Sequence, residues 1–322
     1  MKNIVLILSC VLLFACGKDP QKRVIDGFAL GTTYHIVYHS DSEIVQRSID
    51  SLLNDFENSC SLYREKSLLS KINNNETDSL DNNITECLSV AGMVNRRSGG
   101  VYDVTIKPLV EAYGFYGEYG HGAVNKDSLR DIVGFDKVSV ANGKIVKADP
   151  RIQIDLNSLA KGYSVDLVSR WIAERGVSDF LVEIGGEVYC SGDNGCKGWK
   201  VGIDKPTDGN FTPGADMSMI LTLKDKALAT SGNYRRTYTD TNGKRVNHTF
   251  SPLTLESVVN SMASVTIVAP TVVEADAYAT AVMAMGFEKG REMVESDKQL
   301  EALFIYYDRD SLRSYVTKNL GK

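Results

Sequence analysis

The sequence lacks the features that would place it at once in several common functional classes. It has no basic block and no arginine-rich arm, and its net charge is −5, which argues against nucleic acid as a partner. No dinucleotide-binding glycine fingerprint, P-loop or zinc-type cysteine spacing occurs. His248, one of four histidines, is not surrounded by a Ser/His/Asp or Cys/His hydrolase signature, and a structural role is the alternative for it. After residue 16, no run is long and apolar enough to span a membrane.

The composition is that of a globular protein able to bury a core, with 43% hydrophobic and 24% charged residues among 322. No internal repeat or low-complexity linker divides the chain. Residues 25–322 are therefore predicted to form one large domain or two intimately packed ones. Helical and strand-like segments are interspersed without a steady βαβ alternation, which predicts an α+β fold.

The first 15 residues are predicted to be a lipoprotein signal peptide. Lys2 supplies a positive charge, and residues 4–14 are almost entirely apolar but short for a membrane span. Leu13-Phe14-Ala15-Cys16 resembles a bacterial lipobox, in which the cysteine is lipidated and the preceding peptide removed. Residues 16–24 would be a lipidated tether, and we expect an exported protein that is anchored in the cell membrane and faces the periplasm. The alternatives are an ordinary secretory signal or a buried strand that contains a cysteine.

Four cysteines would remain in an oxidising compartment. Cys190 and Cys196 flank a turn-rich stretch that could bring them together as a hairpin disulfide, and Cys60 could pair with Cys87. Four buried free thiols are the alternative, and the sequence alone leaves the connectivity open.

Hydrophobic periodicity and turn residues predict the main elements of secondary structure. Helices are predicted over residues 43–56, 80–98, 159–175 and 274–286. Strands are predicted within residues 25–39, on both sides of Asn142-Gly143, within 180–189 with an interruption at Gly185-Gly186, and over 199–203, 219–223, 264–269 and 303–307. Residues 229–234 are predicted to be a turn of small and hydroxyl-bearing residues.

Asp276 and Thr280 lie four residues apart on the predicted late helix and so share one face. A carboxylate beside a hydroxyl is half of a site for a hard cation, and a site with oxygen donors alone suits Mg²⁺ better than Zn²⁺. The alternative for each residue is structural, because an early helical Asp is often a cap and a helical Thr often bonds back to its own turn.

Residues 154–163 place a strand end, a polar turn and a helix start within ten positions. Free backbone groups at such a junction can bind an anion, and Lys161 adds a positive charge for phosphate. The alternative is a capped helix with a solvated Lys161. Gly185-Gly186 would allow close approach of a ligand to the backbone, or form an ordinary bulge.

Taken in this order, these segments resemble the ApbE family of FAD:protein FMN transferases. The matching segments are Gly31 to Tyr34, Ser61 to Tyr63, Ser67 to Asn73, Ser98 to Thr105, Pro108-Leu109, Ile154 to Tyr163, Gly185-Gly186, Ala229 to Tyr234, His248 to Pro252 and Ser264 to Gly286. They span nearly the whole mature chain.

The resemblance implies a T-fold-related core, in which helices pack on a mixed sheet and a smaller α/β subdomain is attached. It also implies an enzyme that uses Mg²⁺ and FAD. Such an enzyme transfers FMN through a phosphoester bond onto a Thr or Ser hydroxyl of an acceptor protein and releases AMP. Acceptors in the family are commonly subunits of membrane redox complexes.

The resemblance further implies a set of site residues. The metal would be held by Asp276, Thr280 and a main-chain oxygen of Ser158, with a further contact from Ala279. The flavin nucleotide would contact Leu30, Tyr63, Val101, Tyr102, Asp103, Asp155, Lys161 and Phe250. Tyr63 and Tyr102 are expected to pack against a flat ring of the ligand.

His248 is the candidate general base for the acceptor hydroxyl. Asp276 is counted as catalytic through the metal, because coordination suppresses the basicity of its carboxylate.

Two departures from the family pattern affect the region of the adenine or flavin. Ser251 precedes Pro252 where the family often has aspartate, and Tyr113 stands where tryptophan is usual. Three other functions remain open: an FAD pyrophosphatase that produces FMN and AMP, a non-catalytic FAD-binding lipoprotein, and a solute-binding lipoprotein of unrelated fold.

Overall fold

The computed structural model describes residues 20–116, 124–207, 214–233, 237–239, 243 and 245–320. The predicted signal peptide, Cys16 and Tyr234 lie outside these residues. Within the described ranges, no helix has the length and apolar character needed to cross a membrane.

The strands are β1 (Lys22–Ala29), β2 (Thr32–His39), β3 (Val138–Ala141), β4 (Lys144–Lys147), β5 (Phe180–Ile184), β6 (Glu187–Ser191), β7 (Trp199–Asp204), β8 (Met217–Leu223), β9 (Lys226–Gly232), β10 (Thr237–Thr239), β11 (Arg245–Asn247), β12 (Phe250–Ser251), β13 (Glu256–Ser257), β14 (Met262–Ala269), β15 (Glu301–Asp308) and β16 (Ser311–Val316). The helices are α1 (Gln46–Cys60), α2 (Leu68–Asn73), α3 (Asn82–Arg97), α4 (Lys107–Ala112), α5 (Lys126–Arg130), α6 (Ala160–Ala173), α7 (Val272–Met285) and α8 (Phe287–Glu295), with short 3-10 turns at Val104–Ile106 and Phe135–Lys137.

One sheet organises these elements, with the strand order β1-β2-β5-β6-β9-β14-β15-β16. Each neighbouring pair in it is antiparallel. The α+β prediction is confirmed, although the sheet is antiparallel where a mixed one was expected.

Side chains alternate between the two faces of this sheet, as the pleat of a strand requires. On β2, Tyr34, Ile36 and Tyr38 point toward α1 and α6, whereas Val37 points into a cluster with Trp199 and other residues of the β7–β8 hairpin. Both faces of the sheet centre are therefore covered.

Helix α7 packs on β9 and β14 and is also contacted by α3 and α6. Ten of its residues are buried, among them Val272, Ala275, Ala279 and Val282. A helix that is apolar on nearly every side belongs in the interior. The fold thus carries Asp276, which lies on α7, into the core.

Asp166 of α6 fixes the start of α7 from outside that helix. Its Oδ1 accepts a hydrogen bond from the Val272 N–H at 2.9 Å, and its Oδ2 accepts one from Val273 at 2.8 Å. These are first-turn N–H groups that have no partner within their own helix.

A smaller apolar cluster lies apart from the main core. Its buried members are Leu109, Val110, Leu129, Val133, Val246, Phe250 and Leu255. They come from α4, from α5 and its flank, and from the segment that contains the β10–β11 and β12–β13 hairpins.

Several sequence predictions of local structure need correction. Residues 229–232 lie in the inner strand β9 rather than in a turn, and residues 180–189 form two strands joined by a tight turn at Gly185 and Gly186, with φ of 61° and 102°. Helix α8 and strand β16 had no predicted counterpart. Strand β1 begins at Lys22, inside the segment predicted to be the tether.

The four described cysteines form no disulfide in this structure. Cys190 is buried on β6, whereas Cys196 is exposed in the following turn, so the predicted hairpin bond is absent. The alternative of four buried thiols holds for Cys60, Cys87 and Cys190 and fails for Cys196.

Candidate active site

The site begins where α6 meets α7 at Gly162. A Cβ at this position would lie 2.5 Å from the Val272 carbonyl oxygen and 2.8 Å from Asp276 Cβ, so only glycine permits this approach. The Gly162 N–H donates to Asp276 Oδ2 at 3.0 Å. The sequence left open that Asp276 is a helix cap. It does cap a helix, but that helix is α6 and not α7, on which Asp276 lies.

The Asp276 carboxyl is buried, and burial raises its pKa to about 7. The nearby Lys161 ammonium opposes this increase, while the Glu187 carboxylate adds to it. A carboxylate that is costly to ionise in its own surroundings gains strongly from an added cation. The electrostatics of this corner thus favour a bound positive ion.

Three further oxygen atoms gather near the last turns of α7. Thr280 Oγ1 donates to the Ser158 carbonyl oxygen at 3.5 Å and lies 3.4 Å from Ser231 Oγ. The alternative interpretation was that the Thr280 hydroxyl bonds to its own helical turn. Its partners instead lie outside α7. Ser158 is held in place by its hydroxyl, which is 2.9 Å from the Tyr102 hydroxyl.

These oxygen donors suit a magnesium ion in kind. Asp276 and Thr280 share a helix face one turn apart, and the Ser158 carbonyl contacts Thr280 from the turn before α6. Among the described residues, no three His, Cys, Asp or Glu side chains form a metal cluster. A site that relies on a hydroxyl and a carbonyl is consistent with that finding.

Lys161 lies beside this oxygen cluster. Its ammonium forms an ion pair with Glu187, whose side chain is 2% exposed, while the lysine side chain is 37% exposed. Lys161 is thus partly accessible, but it is paired with a buried carboxylate, unlike the solvated lysine of the alternative interpretation. Glu187 was not predicted as a site residue, although it directly follows Gly185-Gly186.

Asp155 anchors a polar network at the same junction. Its Oδ2 accepts a hydrogen bond from the Tyr116 hydroxyl, and its Oδ1 accepts one from the Asn157 N–H at 2.8 Å. Burial raises the pKa of Asp155, and these donors oppose the increase. The ring of Tyr63 lies 6.3 Å from that of Tyr116 and is 71% exposed. Tyr63 therefore offers an open aromatic surface next to the network.

Two of the predicted flavin contacts, Asp103 and Tyr102, are buried and hydrogen-bonded to other protein groups. Asp103 accepts bonds from Thr105 N and Oγ1 and from Phe135 N, each at 2.7 Å, so its carboxylate holds the local backbone together. Tyr102 is only 3% exposed, and its neighbour Val101 is half-buried. Of the two tyrosines expected to stack on a ligand ring, Tyr63 is the accessible one.

Leu30 and Phe250 lie in different surroundings. Leu30 occupies the tight β1–β2 turn at a φ of 51°. Phe250 is buried in the smaller apolar cluster, with its ring 4.9 Å from that of Tyr113.

His248 is half-buried and lies just before Thr249. Thr249 Oγ1 donates to Asn233 Oδ1 at 2.8 Å, and Asn233 follows Ser231 by two residues. The His248 segment is thus attached to the strand that carries Ser231 to Thr280.

Comparison with known proteins identifies the family. A sequence model of the ApbE family matches residues 30–304, and so spans most of the chain. The protein belongs to the ApbE family. The resemblance inferred from the sequence is confirmed.

Relatives of this ApbE protein match over nearly their whole length. The FAD:protein FMN transferase of Vibrio cholerae is 32% identical, with 99% of this chain and 98% of the relative covered. The FAD:protein FMN transferase of Haemophilus influenzae is 30% identical, with 99% and 95% covered.

Solved structures show the same fold. The flavin transferase ApbE from Vibrio cholerae has a TM-score of 0.79 at 29% identity, with 93% of this chain and 98% of that chain covered. The apo flavinyl transferase ApbE from Pseudomonas stutzeri has a TM-score of 0.81 at 25% identity, with 94% and 96% covered.

Proposed function

We propose that this ApbE-family protein transfers FMN from FAD to a Thr or Ser hydroxyl of an acceptor protein and releases AMP, with Mg²⁺ as cofactor. The supporting observation is the convergence of Asp276, Thr280 and the Ser158 carbonyl next to Lys161. The name FAD:protein FMN transferase, borne by relatives that match end to end, supports the same reaction.

The magnesium ion would be held by Asp276, Thr280 and the main-chain oxygen of Ser158, with the carbonyl of Ala279 as a further candidate. The side chain of Ala279 is a buried methyl group and can donate nothing. When bound, Mg²⁺ supplies Lewis-acid polarisation of a phosphoryl group and neutralises negative charge.

Lys161 would bind the diphosphate of FAD. The protein is acidic overall, so phosphate binding depends on local positive charge. The accessible part of the Lys161 side chain supplies that charge at the junction before α6. The open ring of Tyr63 would pack against a flat ring of the same ligand.

In the transfer step, the acceptor oxygen forms a bond to the FMN phosphorus while the bond from that phosphorus to the AMP oxygen breaks. The acceptor hydroxyl loses its proton, and an imidazole nitrogen of His248 would accept it. Replacing His248 with Ala should slow transfer by about a hundredfold. FAD binding, followed by flavin fluorescence, should change far less. The opposite pattern would exclude His248 as the base.

The cellular setting is part of the proposal. Lipidation at Cys16 would hold the enzyme on the membrane, facing the periplasm. Because β1 begins at Lys22, at most about 20 Å of extended chain separates that anchor from the folded body. Such a short tether would keep the enzyme close to acceptor subunits of membrane redox complexes.

The reaction can be tested with the full chain in detergent. The protein is incubated with FAD, Mg²⁺ and a candidate acceptor domain, and covalent flavin fluorescence is sought on a denaturing gel. A labelled acceptor supports transfer. Release of AMP and FMN without labelling would instead support a pyrophosphatase, and unchanged bound FAD would support a binding protein.

A further inference from the structure

The β5–β6 hairpin contacts the side chain of Lys161 at two points. Its turn consists of Gly185 and Gly186, and Glu187 opens strand β6 immediately afterwards. The Glu187 carboxylate is almost fully buried and forms an ion pair with the Lys161 ammonium. A buried carboxylate is costly unless a partner offsets its desolvation, so this contact is a strong constraint on the fold.

The same turn also packs against the methylene stem of Lys161. A Cβ on Gly185, whose φ is +61°, would lie 3.4 Å from Lys161 Cδ and 2.8 Å from Thr32 Cγ2. The glycine backbone therefore fills the space between the β1–β2 hairpin and the lysine. Lys161 is held along its stem by Gly185 and at its charged end by Glu187.

Asp276 is a second carboxylate that acts on the same lysine. Burial lowers the pKa of Lys161, but Glu187 and Asp276 together raise it above its ordinary value, so the ammonium stays charged. Among the described residues, the ion pair of Lys161 is formed with Glu187, while Asp276 Oδ2 accepts the Gly162 N–H. The Lys161 ammonium is thus paired with Glu187 while Asp276 bonds to the neighbouring backbone N–H.

We propose that Glu187 is a positioning residue, which fixes the Lys161 ammonium beside Asp276 so that it can receive the diphosphate of FAD. This inference rests on the proposed function. A lysine has a flexible four-carbon stem and loses rotamer freedom when it binds a ligand. Restraining it in advance lowers that cost for the nucleotide.

The test is Glu187→Gln in the full chain, which keeps the shape of the side chain and removes its charge. FAD binding is measured by quenching of flavin fluorescence with EDTA and without acceptor, so that neither metal nor turnover contributes. We expect FAD to bind about tenfold more weakly than to the wild type. The FAD concentration that half-saturates transfer should rise in parallel.

Glu183→Gln is the matched control. Glu183 lies on β5 in the same hairpin and accepts the Gly186 N–H at 2.6 Å, a bond that glutamine can retain. Its variant should bind FAD within about twofold of the wild type, because its effect on Lys161 is an indirect one between separated charges. Equal behaviour of the two variants would overturn the proposal.

A double variant separates positioning from a general structural effect. If Glu187 acts through Lys161, then Lys161→Met combined with Glu187→Gln should bind FAD as Lys161→Met does alone. Additive losses would contradict the proposal. If the glutamine variant does not fold, as judged by circular dichroism, Glu187→Asp replaces it. This shorter carboxylate should weaken FAD binding, and wild-type affinity would count against the proposal.

The two proposals can fail separately. A wild-type protein that labels no acceptor, while Glu187→Gln still weakens FAD binding, would refute the transferase function alone. Normal labelling by the wild type, with unchanged FAD binding in Glu187→Gln, would refute the positioning role alone.

Discussion

Two buried carboxylates connect α6 and α7 in opposite directions. Asp166 of α6 receives the N–H groups of Val272 and Val273 at the start of α7, and Asp276 of α7 receives the N–H of Gly162 at the start of α6. Burial raises the pKa of both carboxyls, to about 6 for Asp166 and about 7 for Asp276.

The two carboxylates differ in how many of their oxygens the protein uses. Both oxygens of Asp166 accept backbone hydrogen bonds, whereas only Oδ2 of Asp276 does so among the described residues. Asp276 also has Thr280 one turn away and the Lys161 ammonium beside it, whereas Arg170 and Glu274 are the charged groups that act on Asp166. Reciprocal capping therefore gives one carboxylate a structural role and leaves the other available to a ligand.

The largest expected effect on activity is that of Asp276→Ala, which removes the carboxylate available to a ligand. Loss of the only carboxylate in the proposed metal set should lower the rate of covalent flavin transfer by at least about a thousandfold. The rate is read from in-gel fluorescence of the acceptor. Full activity in this variant would refute the metal assignment, and Asp166→Ala is the control for damage to the helix pair.

Asp166→Asn tests the structural carboxylate through the pH dependence of stability. Because the folded state raises the Asp166 pKa from 3.8 to about 6, it binds this proton more tightly than the unfolded chain does. The resulting stabilisation is complete below about pH 4 and is lost as the pH rises through about 6.

The free energy of unfolding of the wild type, relative to Asp166→Asn, should therefore fall by about 3 kcal/mol over that interval. Urea unfolding of both proteins at several pH values gives this difference. Arg170 and Glu274 also act on Asp166, so both must remain unchanged in the pair compared. A difference that does not vary with pH would contradict the assignment.

Gly162→Ala should have a smaller effect. It perturbs the close approach of Gly162 to Val272, two residues whose N–H groups the carboxylates accept. The new Cβ would meet the Val272 backbone oxygen, which cannot rotate away, so α6 must move from α7 at a cost of about 1–3 kcal/mol. Urea unfolding measures this loss. Gly92→Ala in α3 is the matched control, because its Cβ would meet mainly the Phe135 ring, which can shift. Equal losses in the two variants would show that the α6–α7 approach is not specially tight.

Much of this arrangement could be predicted from the sequence, because local spacing encodes it. Asp276 and Thr280 are one helical turn apart, and Ser158 and Lys161 stand at the polar turn that begins α6. The strand end predicted before that turn is absent, because residues 152–156 are irregular. The spacing predicted Asp276 and Thr280 as oxygen donors and Lys161 as a phosphate-binding cation, whereas Ser158 was implied only by the family resemblance. The structure places these four residues together, and their roles remain predictions.

The residues that sequence reasoning missed come from contacts between distant segments. Ser231 reaches Thr280 because β9 is inserted between β6 and β14, and strand order is not encoded in hydrophobic periodicity. The residues of β9 resembled a turn because they are small. Small side chains occur there where α7 packs on the sheet. Glu187 was missed because a buried ion pair leaves no periodic pattern in the sequence. Tyr116 was missed because its partner Asp155 is 39 residues away.

The contact between Gly162 and Asp276 joins residues 114 positions apart. During synthesis, the turn before α6, proposed to bind phosphate, therefore emerges long before α7, which carries the proposed metal carboxylate. A nascent or truncated chain that ends before α7 would contain Ser158 and Lys161 yet lack Asp276 and Thr280. If these residues hold the metal and the diphosphate as proposed, only a nearly complete chain could bind both.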